Sequence, residues 1–295
     1  MQTEGILAET IAEAERILGS DLDRITVERV VIGLFFTGAA LSTGTAGACA
    51  TPVNYRPDAA CCPGSVATLA FSGALRGRPA RDLLVEAASP HAIRRAVGVA
   101  VLNALADASW RRRPHPAAEL RTGIDAFDAA AIGPGEHVVL VGAFVPFLRA
   151  LKRLQSSYTV LELNPAMLKP EELPHFRPAA EAASVIPHGD AVLITGTTLL
   201  NDTLEDFLLL CRPAARVAVV GPTVGLLPDA FLRRGVDILG GVRVTEPDRF
   251  LDTLAEGGSG HHFFGQSAER VVLLRQSAKP GAAKLPAAKP VTWAA

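Results

Sequence analysis

The hydrophobic and polar positions of this chain follow one pattern in the first half and another in the second. Residues 5–18 carry Ile6, Leu7, Ile11 and Ile17 at helical spacing, which predicts an amphipathic helix. The segment ITVERVVIGLFF alternates and then becomes apolar, as a strand does when it enters a core. TGAALSTGTAG then predicts a turn and a returning strand of small residues. The first half is therefore expected to begin as a helix followed by a β-hairpin.

Two further helices are predicted before the middle of the chain. The first should follow Pro79, and the second should run to about Ala108 with Ser89 as N-cap and Pro90 at the first helical position. The basic, proline-containing run WRRRPHPAAEL indicates an exposed connection between two domains. Residues 1–112 are thus predicted to form an α+β domain.

The second half alternates short apolar segments with amphipathic ones. The apolar segments are EHVVLVG, YTVLELN, DAVLITG, RVAVVGPT, DILGGVRV and RVVLLRQ. Almost uniformly apolar strands separated by helices are typical of a parallel sheet that is covered on both faces. Residues 117–276 are therefore predicted to form a doubly wound, Rossmann-like domain, and residues 277–295 a disordered Ala/Pro/Lys tail.

Polar and small residues gather where these strands end. Ligands of open parallel sheets bind beyond the carboxyl ends of the strands, so these positions predict a binding site. Asp202 and Glu205 have capping-box spacing, but a cap does not account for the threonines before them. The candidate ligand-binding residues at the strand ends are Gly142, Glu162, Asn164, Thr195, Gly196, Thr197, Thr198, Asn201, Gly221 and Thr223.

The first of these strand ends lacks a dinucleotide fingerprint. Gly142 is followed by Ala143 and Phe144, whereas the fingerprint needs three glycines for the approach of a pyrophosphate. Binding of NAD or FAD in the usual way is not expected, and the cofactor is otherwise unknown. Glu162 ends the second strand, where an acid commonly holds a ribose. No Ser-His-Asp order or carboxylate pair stands out, so the catalytic residues, and whether the protein is an enzyme, remain unassigned.

Three stretches of the second half resemble one known family. They are VVLVGAFVPFLRALKR, DAVLITGTTLLNDTLEDFLLL and VAVVGPTVGLLPDAFLRRGVDILGG, and VVIGLFFTGAAL and GVAVLNALAD of the first half fit as well. The chain is similar to the heavy-metal chelation family of unknown function. The resemblance implies an enolase N-terminal-like α+β domain followed by a Rossmann-like domain, with a pocket between them. It also implies metal chelation, or condensation or hydrolysis chemistry on pterin-, flavin- or siderophore-like molecules.

The interface between the two predicted domains supplies two further candidates. Asn103 lies among aliphatic residues of a helix and needs a polar partner. The uncharged stretch Val30–Tyr55 is long enough to span a bilayer, but its threonines and glycines favour a buried hairpin. We expect Thr37, Ser42 and Thr43 of this stretch to line the ligand pocket from above. The preferred function is binding and processing of a small polar ligand between the domains.

An alternative function is metal binding or trafficking without turnover. Cys49, Cys61 and Cys62 offer thiolates for a transition metal, with His91 and His115 as candidate fourth ligands. Adjacent cysteines form an awkward chelate, and free cysteine is also a common buried residue. His261 and His262 lie in a glycine-rich segment that is either an active-site lid or a solvated loop.

Composition and charge narrow the class of partner. The chain has 295 residues, 49% of them hydrophobic, and a formal net charge of −1, so no electrostatic footprint for nucleic acid is present. The first twenty residues carry four glutamates and no cationic start, which argues against a signal peptide. A cytoplasmic protein without disulfides or a membrane span is expected. Its predicted partners are a small molecule or metal chelate and a second copy of itself in a homodimer.

Overall fold

The structure, a computed structural model, describes residues 5–52, 72–225 and 227–276 and contains two sheets. The strands are β1 (Val27–Ile32), β2 (Phe36–Leu41), β3 (Ala46–Ala50), β4 (Ala118–Thr122), β5 (His137–Val141), β6 (Ser157–Glu162), β7 (Phe176–Pro178), β8 (Ala191–Thr195), β9 (Arg216–Val220), β10 (Ile238–Val244) and β11 (Ala268–Arg275). The helices are α1 (Ile6–Leu18), α2 (Ala80–Leu84), α3 (Ala92–Arg112), α4 (Ala126–Ala129), α5 (Val145–Leu154), α6 (Ala182–Val185), α7 (Leu204–Leu210), α8 (Asp229–Arg233), α9 (Pro247–Ala255) and α10 (Gly260–Phe263).

The small sheet is antiparallel in the order β1-β2-β3. The sequence predicted one hairpin here, but the structure has two turns, at residues 33–35 and 42–45, and hence a third strand. Helix α3 packs directly on β3 because Gly47 has no side chain. A Cβ at Gly47 would lie 2.2 Å from the carbonyl oxygen of Ala100 and 2.4 Å from the amide nitrogen of Ala104. This close approach explains why the strand is built from small residues.

The large sheet has the order β4-β11-β10-β9-β8-β5-β6-β7. Strands β5 to β10 run parallel, whereas β11 is antiparallel to both of its neighbours. The segment β7-β6-β5-β8-β9-β10 has the strand order of a Rossmann fold when β5 is counted as the first strand. The predicted fold class is therefore confirmed: a small antiparallel α+β part is followed by a mostly parallel α/β sheet. Strand β4 was not predicted, because its sequence was interpreted as part of the connection.

The central strands of the large sheet bury side chains on both faces. On β5, Val139 and Val141 join the hydrophobic core that includes α1 and α3, while Val138 and Leu140 join the core under α4 and α5. Successive side chains of a strand point to opposite faces, so a strand covered on both sides has to be apolar throughout. This explains the continuous apolar runs of the second half.

Two helix starts differ from the predicted ones. Helix α3 begins at Ala92 with His91 as N-cap, and the Ser89 hydroxyl instead accepts a hydrogen bond from the His91 N–H at 3.2 Å. Helix α7 begins at Leu204, and no capping box forms around Asp202 and Glu205. Both carboxylates are used for contacts across the molecule instead.

Those contacts join the small-sheet part to the large-sheet part. Glu205 accepts a hydrogen bond from the Ile6 N–H at 2.6 Å, and Asp202 forms an ion pair with Arg95 of α3 at 2.8 Å. The small sheet also contacts α9 of the large-sheet part. A Cβ at Gly38 of β2 would lie 2.6 Å from Leu251 of α9, so this strand and this helix are in close contact. Among the helices of the described residues, none is both long and apolar enough to cross a membrane.

Candidate functional site

The candidate site lies where the chain order of the large sheet reverses. From β5 the chain runs outward through β6 and β7, and then returns to place β8 on the other side of β5. The loops that follow β5 and β8 therefore leave in opposite directions and open a crevice at the carboxyl ends of the two strands. Ligands of doubly wound sheets bind at such a switch point.

A cavity of about 400 Å³ occupies this position, and we call it the switch-point cavity. Six of the predicted residues line it: Gly142, Glu162, Thr195, Thr197, Thr198 and Asn201. Residues that the sequence analysis did not predict complete the lining: Val141, Ala143, Leu161, Leu163, Ala179, Thr203 and Phe207. Thr203 is a further polar residue of the same loop, two positions after Asn201, so the sequence could have identified it as a candidate. Nothing in the sequence around Ala179 or Phe207 indicates that they line a cavity.

Backbone N–H groups from two loops hold the Glu162 carboxylate. The N–H of Ala143, after β5, donates to Oε2 at 2.9 Å. The N–H groups of Leu163 and Asn164 donate to Oε1 at 2.8 and 3.3 Å. Three donors to one carboxylate fix its position. Glu162 thus joins the ends of β5 and β6 and presents a fixed negative charge to the cavity.

The threonines after β8 form a connected set of hydroxyls. The Oγ1 atoms of Thr195 and Thr197 lie 3.0 Å apart, and the Thr198 hydroxyl donates to the carbonyl oxygen of Thr195 at 2.6 Å. At the far end of the loop, the Thr203 hydroxyl donates to Asn201 Oδ1 at 2.7 Å. A hydroxyl has one donor and two acceptor positions, so Thr195 and Thr197 retain capacity for a ligand after bonding to each other.

Gly142 allows the two loops to approach each other. Its φ of 103° lies in the region that favours glycine. A Cβ at this position would lie 3.1 Å from the Cβ and Cγ2 of Thr195. The glycine therefore serves the close contact between the β5 and β8 loops.

Three other predicted residues lie at the packed seam between the two parts of the molecule. The Asn103 amide donates to the carbonyl oxygens of Ala48 at 2.7 Å, Thr223 at 3.2 Å and Pro222 at 3.3 Å. The buried Thr223 hydroxyl accepts from the Ala50 N–H at 3.1 Å, and Gly196 is buried against Val224. These residues attach β3 to the loop after β9, and they do not line the switch-point cavity.

The expectation that the small sheet lines the pocket through Thr37, Ser42 and Thr43 is corrected by the structure. Thr37 is fully buried, with its hydroxyl 3.0 Å from that of Thr51. Ser42 accepts from the Thr26 N–H at 3.0 Å, and Thr43 bonds to Thr45 at 2.7 Å. The hydroxyls of this stretch satisfy one another or the local backbone, and none of the three residues lines the cavity.

Asn164 and Gly221 also lie outside the switch-point cavity. The exposed Asn164 side chain accepts from the Ala166 N–H at 3.0 Å and caps a short helical turn. Gly221 lines a separate, largely apolar cavity. Among the described residues, the switch-point cavity is lined by positions between 141 and 207 of the large-sheet part, and the described residues of the small-sheet part contribute none of the polar lining that was expected from them.

Cys49 is placed where it is unsuited to bind a metal. Its thiol is buried beside the Thr223 hydroxyl, to which the sulfur approaches within 3.9 Å, and burial raises the pKa of Cys49 to about 12. A metal ligand must be a thiolate, so a metal would have to displace the proton of this fully buried thiol, and the raised pKa makes that step more costly than for an exposed cysteine. Cys61 and Cys62, like the predicted tail 277–295, lie outside the described residues. Within 5–52, 72–225 and 227–276, no cluster of three or more His, Cys, Asp or Glu side chains could hold a metal ion.

Two of the candidate histidines, His115 and His262, have local structural partners. His115 Nε2 lies 2.9 Å from Asp229 of α8. His262 Nδ1 accepts from the Ser259 N–H at 3.0 Å and so completes the cap of α10, while His261 is exposed. The segment predicted as a lid or a solvated loop therefore contains a short capped helix.

The charge of the switch-point cavity limits what it can bind. Of its described lining residues, Glu162 is the ionisable one, and no Lys, Arg or His is among them. Its donors and acceptors are otherwise hydroxyls and one amide. Hard oxygen donors of this kind do not match the preference of soft heavy metals for sulfur and nitrogen. The cavity suits a neutral or cationic organic molecule better than a bare heavy-metal ion.

The fold and the cavity together define an α/β protein with a Rossmann-like sheet and a crevice at the switch point, and its sequence lacks the dinucleotide fingerprint after β5. Two family models match the chain, both described as "Putative heavy-metal chelation". One covers residues 125–273 and the other residues 15–106. The first alone spans half of the chain, and the chain belongs to this heavy-metal chelation family.

Three known proteins are similar to this chain, one in sequence and two in fold. An uncharacterised protein of Methanocaldococcus jannaschii is 30% identical over 178 residues, which are 59% of this chain and 64% of that protein. A family member of unknown function from Pyrococcus horikoshii superposes with a TM-score of 0.68 at 20% identity, over 90% of this chain and 98% of that one. A second, from Desulfitobacterium hafniense, gives 0.68 at 21% identity, over 91% and 100%. The two structures establish the shared fold.

Proposed function

We propose that this protein binds a small, neutral or cationic, hydroxyl- or amine-bearing molecule in the switch-point cavity. The family's association with heavy metals would then come from the ligand, a chelating molecule that carries the metal with its own donor atoms. The observation that supports this most strongly is the fixed Glu162 carboxylate in a cavity whose described lining has no cationic side chain.

Glu162 is the expected anchor of the ligand. Three N–H donors leave part of its capacity for hydrogen bonds unused, because a carboxylate has about four lone-pair sites. The remaining lone-pair sites accept hydrogen bonds, so they suit a ligand group that donates them, such as a diol or an amine. The position of Glu162 at the end of the second Rossmann strand matches that of acids that hold ribose hydroxyls.

The Thr195–Asn201 loop is expected to provide the opposing polar contacts. Its hydroxyls act as donors or acceptors, so they adapt to a molecule with mixed polar groups. Leu161, Leu163 and Phe207 supply apolar walls for the body of the ligand. A few fixed polar groups within apolar walls are the usual composition of a small-molecule site.

The proposal concerns binding and assigns no reaction. The described lining contains hydroxyls, an amide and one carboxylate that already holds three backbone groups. None of the threonine hydroxyls of the described lining is hydrogen-bonded to the Glu162 carboxylate, so no side-chain nucleophile with an adjacent base is assembled here. The processing step expected from the sequence therefore has no residue assigned to it.

Ligand-induced thermal stabilisation tests the proposal. The probes are biopterin, riboflavin, adenosine, S-adenosylmethionine and ATP, each with the wild type, Thr197→Val and Thr43→Val. The control is matched because the exposed Thr43 forms the same kind of hydroxyl pair, at 2.7 Å from the buried Thr45, outside the cavity. A ligand at a hundredfold excess over its Kd should raise the wild-type Tm by roughly 5 °C.

The proposal predicts that one or more of the neutral or cationic probes stabilises the wild type and Thr43→Val but not Thr197→Val. ATP should have no effect, because its phosphates would approach Glu162 without a compensating cation. Equal stabilisation of wild type and Thr197→Val, stabilisation by ATP alone, or no stabilisation by any probe would count against the assigned site.

A further inference from the structure

A second cavity lies between the small sheet and the large sheet, and we call it the aromatic cleft. Its volume is about 280 Å³, enough for a molecule with one or two fused rings. Phe36 of β2 contributes from the small sheet, and the remaining residues come from the large-sheet part. They are Asp125, Ala126, Phe144, Pro146, Phe147, Val220, Gly221, Pro222, Gly240, Gly241, Val242, Phe264, Arg270, Val271 and Val272.

Partly exposed aromatic rings form two walls of the cleft. The rings of Phe144 and Phe147, at the start of α5, stack with centroids 5.0 Å apart and an interplanar angle of 24°. Phe36 and Phe264 both pack on the buried Phe263, with centroids 5.6 and 4.7 Å from it. Because Phe36, Phe144 and Phe264 are only half-buried, each leaves ring surface available to a flat apolar group.

Glycine keeps the end of the cleft at β9 open. Gly221 has a φ of 130°, and a Cβ there would have a single neighbour within 4 Å, the Gly196 nitrogen at 3.9 Å. A side chain at this position would project into empty space rather than into a packed core. The cleft therefore reaches the backbone at the end of β9.

Arg270 is the cationic residue of the cleft. Its guanidinium carbon lies 4.0 Å from the centroid of the Phe264 ring, which holds it at the wall. Its cross-strand neighbour on β10 is the apolar Val242, whereas the adjacent Arg243 faces Glu269 and forms an ion pair with it. Among the described residues, Arg270 has no carboxylate within ion-pair distance.

The acidic residue of the cleft, Asp125, already accepts hydrogen bonds from backbone N–H groups. Asp125 Oδ1 accepts hydrogen bonds from the N–H groups of Phe127 and Asp128, at 2.9 and 3.0 Å, and caps α4. The guanidinium of Arg270 can instead form two parallel hydrogen bonds with an incoming carboxylate. Aromatic walls beside one cation without an anionic partner match an aromatic ring that bears a carboxylate.

We infer that the aromatic cleft is a binding site for a planar aromatic carboxylate, with the ring between the phenylalanines and the carboxylate on Arg270. This site is distinct from the switch-point cavity. The β5–α5 loop contributes to both, with Gly142 and Ala143 on one side and Phe144 on the other. The inference does not depend on the proposed function.

Calorimetric titration with 2-naphthoate and 2-naphthamide tests the inference, since the two probes share a shape and differ in charge. The variants are Arg270→Gln, Phe264→Leu and the control Arg177→Gln, which removes another exposed arginine at the far edge of the sheet. We expect saturable naphthoate binding to the wild type and to Arg177→Gln. Arg270→Gln should weaken it at least about tenfold, as expected for a lost charge-assisted bidentate pair, and should leave naphthamide binding unchanged.

Phe264→Leu should weaken both probes, because it removes ring surface rather than charge. Arg270 is exposed, so its variant should fold normally, and a melting curve checks this. Naphthoate binding that is absent from the wild type, or equal in the wild type and Arg270→Gln, would overturn the inference. Thr197→Val should not affect naphthoate binding, which separates this test from that of the switch-point cavity.

Discussion

At the scale of single residues, Glu162 combines a structural and a binding role. Its carboxylate fixes the loops after β5 and β6 through three backbone donors, and it also faces the cavity. Such charge-assisted bonds place a negative group accurately without a salt-bridge partner. The conformation of the loops after β5 and β6 therefore depends on the Glu162 side chain.

Glu162→Gln should therefore lower the free energy of unfolding by about 1–3 kcal/mol, because a neutral amide accepts hydrogen bonds more weakly and its NH₂ faces N–H donors. Urea denaturation of the two proteins measures the difference. The control is Glu181→Gln, whose exposed carboxylate lies 3.8 Å from Arg177, and the expected loss is below about 0.5 kcal/mol. Equal effects of the two substitutions would mean that the three backbone bonds contribute little.

Cys49 gives a second prediction at this scale. The burial that raises its pKa to about 12 should protect the thiol from iodoacetamide at pH 8 in the native protein. Peptide mapping by mass spectrometry should find Cys49 unmodified in the native state and modified in urea. Rapid native modification of Cys49 would contradict the burial and would reopen its role as a metal ligand.

At the scale of elements, small residues determine how the small sheet meets α3. Gly47→Ala should destabilise the protein by about 2–4 kcal/mol, because the added methyl group overlaps the α3 backbone and not a flexible side chain. Gly133→Ala is the matched control, since its Cβ would come no closer than 3.4 Å to Glu136 and the cost should be within about 1 kcal/mol. Thermal or urea unfolding compares the two, and a Gly47→Ala protein as stable as the control would refute the close packing of β3 on α3.

The elements also show how far the sequence specified the fold. The central residues of strands β5, β6, β8, β9 and β10 are almost uniformly apolar because both faces of the sheet are buried, so the sequence pattern predicted these strands. Strand β4 was missed because it is a short edge strand that follows the arginine- and proline-rich run. The division into β2 and β3 was missed because alanine and glycine carry little periodic signal.

The candidate sites were predictable to different degrees. The switch-point loops follow their strands directly, so the rule for strand ends located Thr195 and Thr197. The rule did not distinguish these two residues from Thr223, which also follows a strand. The Thr223 hydroxyl accepts a hydrogen bond from the Ala50 N–H where the two parts of the molecule pack together. The aromatic cleft was not predicted, because Phe36, Phe144 and Phe264 are distant in sequence and only the tertiary packing of α5, α10 and the small sheet brings them together.

At the scale of the whole molecule, an ion-pair cluster connects the first helix to the second half of the chain. Glu9 of α1 binds both Arg233 and Arg234 at the end of α8. The hydrogen bond from Arg234 is the largest cause of a low pKa for Glu9, about 2 compared with its ordinary value of 4.5. A carboxylate with a depressed pKa in the folded state stabilises the protein above its unfolded pKa, and the contribution is lost as the pH falls.

Glu9→Gln should accordingly be less stable than the wild type at pH 7, by about 1 kcal/mol after allowance for solvent screening. The difference should shrink as the pH falls below about 4.5, be largely lost near pH 2 and vanish below the folded-state pKa. Denaturation at a series of pH values measures it. A difference that stays constant between pH 7 and pH 3 would show that the charge of Glu9 is not what joins α1 to α8.

The central claim is that the switch-point cavity is the ligand site of this protein, and equilibrium dialysis against a small-molecule extract of cells tests it most directly. Mass spectrometry would then identify the molecules that the wild type, Thr197→Val and Thr43→Val retain. The account predicts at least one neutral or cationic polar molecule enriched by the wild type and Thr43→Val and lost from Thr197→Val. Equal retention of every bound molecule by all three proteins, or retention of none by the wild type, would contradict it.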